Sequence, residues 1–225
     1  MGERRRTIYG FCYHNSTVSI IAFRDSSFFV YIYIPNGWFM NNNTKQQIAA
    51  VAFQLFVQHG YKATAISQLV SNSGLSKGAF YHHFKSKQAI YEYVIDYYFL
   101  SYYREFDWSL VESNSLENFL KLMTNMYSEF VSEIKSMTKN NISKYFILFF
   151  EAYNNMGIFK ETVQYFYKKF KETLSKKYIT EKKLSKEKGE EESMKIISKF
   201  EGMFFWFAVF PDEDINKYFN TLNNI

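Results

Sequence analysis

Apolar residues recur at helical spacing along most of the chain from Thr44 onward. The first stripe is spaced i, i+3, i+4, i+7 and i+8, as on the core face of a helix, and comprises Ile48, Val51, Ala52, Leu55 and Phe56. This pattern predicts a helix from Thr44 to His59, ended by Gly60 at the position after its C-cap. Later stripes predict helices over about 86–106, 115–134, 141–156, 158–178, 193–210 and 213–222. With only 2 Pro and 9 Gly in 225 residues, the sequence predicts an all-α protein.

Two short helices joined by a tight turn are predicted between Thr64 and Phe84. Thr64 is expected to cap the first helix through its hydroxyl, and the apolar stripe that follows is Ile66, Leu69 and Val70. Gly74 lies where the chain must reverse, and glycine tolerates the positive φ that such a turn often needs. Ser76 is expected to cap the second helix.

The second helix has a small, partly cationic leading end. Phe80 and Phe84 fall on one face, and the remaining positions carry Lys77, Gly78, Ala79, Tyr81, His82 and His83. Such an end can enter a DNA major groove while Tyr and His side chains reach phosphates, although a helical hairpin with a solvated face has the same spacing. The surrounding charge favours DNA, because residues 40–91 contain five lysines and no acidic residue.

Residues 44–95 resemble the N-terminal DNA-binding domain of the TetR family of transcriptional regulators. The segment IAAVAFQLFVQHGYKATAISQLV resembles the family's first two helices, and SGLSKGAFYHHFKSKQAIY resembles its turn, recognition helix and entry to helix 4. Two mild departures concern packing: Leu69-Val70 stands where Ile-Ala is usual, and Asn72-Ser73 where two alanines are common. The resemblance implies a homodimeric repressor that binds a palindromic double-stranded operator and is released by a small-molecule effector.

The resemblance also implies roles for individual residues. Base edges would be met by Lys77, Gly78 and Ala79, and phosphates would be held by Thr64, Tyr81, His82 and Lys87. For Lys87 the alternative is a solvated lysine in the first turn of helix 4, where it opposes the helix dipole unless a phosphate lies nearby. In TetR-like proteins a shift of helix 4 carries the signal between the domains.

A helix-turn-helix DNA-binding domain is expected at 40–86 and a helical ligand-binding and dimerisation domain at 87–225. The resemblance implies an effector cavity enclosed by the three helices after helix 4, and its expected wall is Met123, Tyr127, Phe149, Tyr153 and Phe166. Few charged residues fall on those faces, so the expected effector is mostly apolar or aromatic. The same aromatic and Met stripes would also serve as ordinary core.

The predicted helix 193–210 is apolar over more than one stripe near its end. A large exposed apolar patch usually marks an interface, so we expect a two-fold homodimer in which the two closing helices of each chain pair into a four-helix bundle. The expected contact residues are Phe200, Met203, Phe204, Phe207 and Phe210. The Lys/Glu-rich stretch 176–192, which precedes this helix, is expected to be a mobile or solvent-facing connection.

Residues 1–39 differ in composition, with four of the five arginines and no lysine. We expect a non-native or disordered extension, with Met40 as the natural start. A basic arm at Arg4–Arg6 for the minor groove or a β-hairpin built from FFVYIYI and its Pro-Asn-Gly turn remain alternatives. A signal peptide fits poorly, since His14, Asn15 and Ser16 interrupt the apolar run.

Other function classes find little support in the sequence. Residues 100–225 contain no His, no Cys and no Gly-rich phosphate loop, so we expect no catalytic or metal site, no cofactor and no enzyme. The single Cys12 excludes an internal disulfide. The sequence contains no run of about 18 apolar residues, so no membrane span is predicted. We therefore expect a cytoplasmic location. The net charge of +5 allows a nucleic-acid partner without proving one. The alternative function is a helical ligand-binding or interaction module that does not bind DNA.

Overall fold

A helical body from Thr44 to Leu222 follows a short N-terminal β-hairpin. The computed structural model describes the backbone of residues 8–13, 16–21 and 44–222, and the side chains of 44–215 and 217–219. Strands β1 (Ile8–Tyr13) and β2 (Ser16–Ile21) pair antiparallel, with Ile8 opposite Ile21 and Tyr13 opposite Ser16. The expectations for Arg4–Arg6 and for a hairpin at FFVYIYI lie outside the described residues.

Helices α1 (Thr44–His59), α2 (Ile66–Asn72) and α3 (Lys77–His83) form the first unit. The predicted bounds of α1 are confirmed, and Gly60 (φ 81°) donates its backbone N–H to the carbonyl of Phe56 at 2.7 Å. Gly74 has φ 70°, as the turn between α2 and α3 requires. The buried stripe of α1 is rotated from the predicted one: Val51 and Leu55 are only half-buried, and the core positions are Ile48, Ala49, Ala52, Phe53, Phe56 and Val57.

The next helix runs continuously from Lys87 to Arg104 and changes its winding in the middle. It comprises α4 (Lys87–Ile95), a π-helical segment (Asp96–Leu100) and α5 (Ser101–Arg104). Ser86 caps α4 by accepting the backbone N–H of Ala89 at 3.0 Å, which confirms the predicted start. A π-turn inserts one residue into the helix and often marks a functional site. Here the π segment places three consecutive buried residues, Tyr98, Phe99 and Leu100, between the first unit and the helices that follow.

The remaining helices form a bundle against α4, the π segment and α5. They are α6 (Trp108–Ser113), α7 (Leu116–Met137), α8 (Ile142–Asn155), α9 (Gly157–Lys182), α10 (Lys186–Val209) and α11 (Ile215–Leu222). The predicted caps and stripes locate α7 to α9 well, and Ser115 caps α7 by accepting the N–H of Asn118 at 3.3 Å. Within the described ranges, no helix combines the length and hydropathy that a membrane span requires.

The stretch 176–192, expected to be a mobile or solvent-facing connection, is helical except at 183–185, and most of its side chains do face solvent. Helix α9 continues to Lys182, Lys183 adopts a left-handed conformation (φ 56°), and Ser185 already caps α10. The two helices meet closely at Gly189, where an added Cβ would lie 2.7 Å from Cγ1 of Ile179 and 3.1 Å from the carbonyl oxygen of Ser175. The Lys/Glu repeat reflects ion pairs along the helix, such as Lys188 to Glu191 at 2.9 Å, and not the absence of structure.

Candidate nucleic-acid interface and ligand cavity

Helix α3 is anchored on one side and exposed on the other. Phe80 is fully buried and Phe84, at its C-cap, is 3% exposed, so the pair fixes the helix on the core. Ser76 caps it by accepting the backbone N–H of Ala79 at 3.2 Å, which confirms the predicted cap. The leading turn, Lys77 to Ala79, is exposed. The fold therefore offers a short helix end with small side chains and one lysine to a partner.

Gly78 has no role inside the chain that would require a glycine. A Cβ added there meets no atom within 4 Å, and its φ is not positive. A glycine in a helix costs roughly 0.5–1 kcal/mol relative to alanine. The structure itself gives no reason for a glycine at this position, and the missing side chain leaves the backbone of the helix open to close approach by another molecule.

The next turn of α3 carries hydrogen-bonding side chains at its rim. His82 is exposed and Tyr81 is half-buried, with its ring 5.9 Å from that of Phe80 in an edge-to-face arrangement. Lys85 is exposed but donates from its Nζ to the carbonyl of Tyr81 at 2.9 Å, which caps the end of α3. These groups lie where side chains can reach a phosphate backbone beside an inserted helix end.

Thr64 neither caps α2 nor faces outward, as was predicted for it. The residue that caps α2 is Ala65, whose backbone N–H donates to Oε1 of Gln68 at 2.7 Å. Thr64 is fully buried, and its hydroxyl donates to the carbonyls of Gly60 (2.8 Å) and Leu55 (3.3 Å). A hydroxyl turned inward in this way ties α1 to the loop before α2 and cannot hold a phosphate.

Lys87 also has an internal role in place of the predicted phosphate contact. Its ammonium donates to the backbone carbonyls of Tyr61 (2.9 Å), Lys62 (3.3 Å) and Thr64 (2.8 Å). The same Nζ lies 4.5 Å from the centroid of the Tyr61 ring, within cation–π range. Three accepting carbonyls use all three donors of the ammonium, so Lys87 joins the start of α4 to the α1–α2 loop.

A cavity of about 440 Å³ lies in the bundle, within the range of small-molecule sites. It is enclosed by α5 and α7 to α10, and 15 of its 20 lining residues are aromatic. The five residues expected in its wall, Met123, Tyr127, Phe149, Tyr153 and Phe166, all lie in that lining. Sequence patterns alone do not indicate the lining residue Glu201, because a single glutamate on α10 is typical of a solvated face.

Two acids at or near the cavity have raised pKa values. Burial raises the pKa of Glu201, and the hydroxyl of Tyr167, which donates to Oε1 of Glu201 at 2.7 Å, acts in the opposite direction. Burial also raises the pKa of Glu133 to about 7, and Glu133 accepts from the hydroxyl of the lining residue Tyr102 at 3.2 Å. Both carboxyl groups therefore sit in surroundings that disfavour an uncompensated negative charge.

The outward face of α10 differs from the one expected for an interface. Phe200, Phe204 and Phe207 are at most 6% exposed, because they pack inside the bundle, and Met203 is half-buried. Of the expected contact residues only Phe210 is exposed. Near its C-terminal end, the large apolar side chains that this helix and its C-cap turn outward are Phe205, Trp206, Val209 and Phe210. The expected interface set is corrected accordingly, because the first stripe of α10 is needed for the core.

The sequence model of the bacterial regulatory proteins of the tetR family matches residues 48–94. The uncharacterized HTH-type transcriptional regulator YerO of Bacillus subtilis is 44% identical over 57 residues, and the HTH-type transcriptional regulator QacR of Staphylococcus aureus is 43% identical over 49 residues. These matches cover 25% and 22% of this chain, and 20% and 26% of the respective relatives. The sequence similarity to these two regulators thus spans only about a quarter of their length.

Solved structures extend the likeness over most of the fold. A transcriptional regulator from Aquifex aeolicus superposes with a TM-score of 0.56 at 22% identity, over 81% of this chain and 96% of that one. The structure of AibR in complex with isovaleryl coenzyme A and operator DNA gives a TM-score of 0.58 at 17% identity, over 81% and 97%. Residues 48–94 thus match the DNA-binding segment of the tetR-family regulators, and the helical body as a whole shares the fold of these solved structures.

Proposed function

We propose that this chain is a ligand-responsive transcriptional repressor that binds a palindromic operator as a homodimer. Residues 40–86 serve as the DNA-binding domain and 87–225 as the ligand-binding and dimerisation domain. The observation that carries the proposal is the exposed leading turn of α3, where Gly78 serves no need of the chain itself. A helix end of this kind, anchored by buried phenylalanines, matches the geometry of a recognition helix in a major groove.

The contacts with DNA divide into two groups. Lys77, Gly78 and Ala79 face base edges, and Tyr81 and His82 hold phosphates. Thr64 and Lys87 are not among the proposed phosphate contacts, because their polar atoms form hydrogen bonds inside the protein. Their role in DNA binding is indirect, because they fix the loop and the helix that support α3.

The dimer sets the distance between two recognition helices. The outward apolar residues of α10 provide a surface for a second copy, centred on Phe205, Trp206 and Val209. A two-fold dimer must place its recognition helices about 34–36 Å apart to reach successive major grooves on one side of DNA. An effector in the cavity that changes this distance weakens both half-site contacts together.

Selection of binding sites from a random duplex pool tests this function and does not require the operator to be identified first. We expect enrichment of an inverted repeat whose half-site centres are about one helical turn apart. Retention of DNA with no common sequence, at an affinity set by salt alone, would favour a non-specific cationic surface. No retention of any duplex would support the alternative of a helical ligand-binding module that does not bind DNA.

A further inference from the structure

The effector cavity combines a carboxyl group with aromatic walls. Among the described residues that line it, Glu201 is the only carboxylic acid, and none is Lys, Arg or His. The remainder of the wall consists of aromatic rings, Met123, Met126, Val163 and Ile197. A glutamate in such a place is costly for folding unless it is hydrogen-bonded or paired with a cation.

Among the described residues, the groups that hydrogen-bond the Glu201 carboxyl are tyrosine hydroxyls. Tyr167 donates to its Oε1 at 2.7 Å, and Tyr127, which also faces that carboxyl, likewise favours the ionised form. Among the described side chains, no lysine, arginine or histidine nitrogen forms an ion pair with it. Two phenol groups hold the carboxylate in position but supply no positive charge, so the place of a counter-ion is left to a ligand.

The aromatic walls suit the same kind of ligand. The ring faces of Tyr and Phe attract a cation within about 6 Å, most strongly when water is excluded. Tyr103 and Phe166 have their rings 5.2 Å apart, and Tyr127 and Phe200 have theirs 5.1 Å apart, so closely packed ring pairs line the cavity. A second acid, Glu133, accepts a hydrogen bond from the lining residue Tyr102, so another carboxyl group lies just behind the wall.

We propose that the cavity binds a lipophilic aromatic monocation, with its charge against the Glu201 carboxylate and its apolar body between the aromatic rings. This inference rests on the proposed function, in which the cavity is the effector site. It replaces the sequence-based expectation of an apolar or aromatic effector with a charged one. An anionic ligand is disfavoured, because its charge would face Glu201 with no cationic side chain in the wall.

A charge series on one ring skeleton tests the proposal. The probes are 1-methylquinolinium, its uncharged isostere 1-methylnaphthalene and the anion 1-naphthoate, and binding to the full chain is measured by equilibrium dialysis. We expect the cation to bind at least as tightly as the neutral isostere, and the anion to bind at least about tenfold more weakly than the cation. The Glu201→Gln substitution keeps the shape of the side chain, and it should weaken the cation about tenfold while changing the neutral probe less than about twofold.

Several outcomes would overturn the inference. They are equal or tighter binding of 1-naphthoate, no binding of 1-methylquinolinium, or an unchanged cation affinity in the Glu201→Gln variant. The matched control is Glu161→Gln, which removes an exposed carboxylate of α9 and should leave all three affinities unchanged. DNA binding measured without any probe separates the two proposals. If the operator binds and the cation does not, only this inference fails, and if the cation binds and no duplex does, only the proposed function fails.

Discussion

The rings of Phe99 and Tyr145 stack with their centroids 4.4 Å apart and their planes 19° from parallel. Tyr145 lines the cavity, and Phe99 lies in the π-helical segment between α4 and α5. On its other side Phe99 approaches Phe53 of α1 at 6.4 Å, and Phe53 stacks on Tyr98 at 4.4 Å. A continuous series of aromatic contacts therefore joins the cavity wall to the first helix of the α1–α3 unit.

This series predicts an effect of Phe99→Leu on communication between the two sites. Coupling between two binding sites typically amounts to about 5–150-fold in affinity, and we expect the substitution to reduce it several-fold because the leucine loses the stacked ring. The measurement is the operator affinity with and without saturating 1-methylquinolinium. Phe119→Leu is the control, since Phe119 is equally buried but packs on Phe170 within the bundle. Equal coupling ratios in both variants and in the original protein would contradict the prediction.

Gly78→Ala should separate folding from DNA binding. The new methyl group meets no atom of the chain, so we expect the free energy of unfolding in urea to stay the same or rise by up to about 1 kcal/mol. Operator affinity should fall about tenfold or more, because the methyl group blocks the approach of DNA to the helix backbone. Gly157→Ala is the matched control: it also adds a methyl group in open space at a helix start, and it should leave DNA binding unchanged. Full operator affinity in the Gly78→Ala variant would remove the reason given for this glycine.

Lys87→Met should act through stability. The substitution removes three hydrogen bonds from the charged Lys87 ammonium to backbone carbonyls. A single hydrogen bond that involves a charged group contributes about 1.5–3 kcal/mol, and bonds that share one donor group do not add in full. We therefore expect a loss of at least about 1.5 kcal/mol in the free energy of unfolding. Lys77→Met, on the exposed turn of α3, should leave that free energy within about 0.5 kcal/mol of its original value. A stable Lys87→Met protein with lower DNA affinity would restore Lys87 as a phosphate contact.

Phe205→Glu combined with Val209→Glu should produce a folded monomer. Both side chains are more than half exposed on α10, so the substitutions place charge on the proposed interface without disturbing the core. Sedimentation equilibrium would give the mass of one chain, and operator affinity would fall because the two half-sites are no longer bound as a unit. Ser132→Glu adds charge to an exposed position of α7 and should leave the dimer intact. A dimer that survives the double substitution would locate the interface elsewhere.

Local signals are sufficient to predict much of the fold. Ser76 and Ser86 are caps, and Gly60 and Gly74 have positive φ, because each of these roles depends on a few neighbouring residues. Tertiary contacts decide the rest. The hydroxyl of Thr64 turns inward because two carbonyls of the α1 end and its loop lie within reach. A stripe of apolar residues on α10 does not show which side meets the bundle, so Phe204, which the sequence places at the interface, lies in the core.

The candidate cavity shows the same division between local and tertiary information. Spacing indicates its aromatic wall, since Tyr127 and Phe149 recur on the inward faces of their helices. The place of Glu201 in the cavity could not be predicted from the sequence. Its neighbours Phe200 and Gly202 do not indicate that Tyr167, 34 positions earlier, donates a hydrogen bond to it. The helical structure of 176–192 could not be predicted for a related reason, because the close approach at Gly189 involves residues on another helix.

The most direct test is a titration of the selected operator with the original protein and with the Lys77→Ala, Tyr81→Ala double variant at several salt concentrations. Fluorescence anisotropy of a labelled duplex gives the dissociation constants, and circular dichroism and sedimentation verify that both proteins are folded to the same extent and in the same oligomeric state. The account predicts a loss of about 100-fold or more for the double variant, with a smaller salt slope because one cation has been removed from the interface. Equal affinity and an equal salt slope for the two proteins would contradict it.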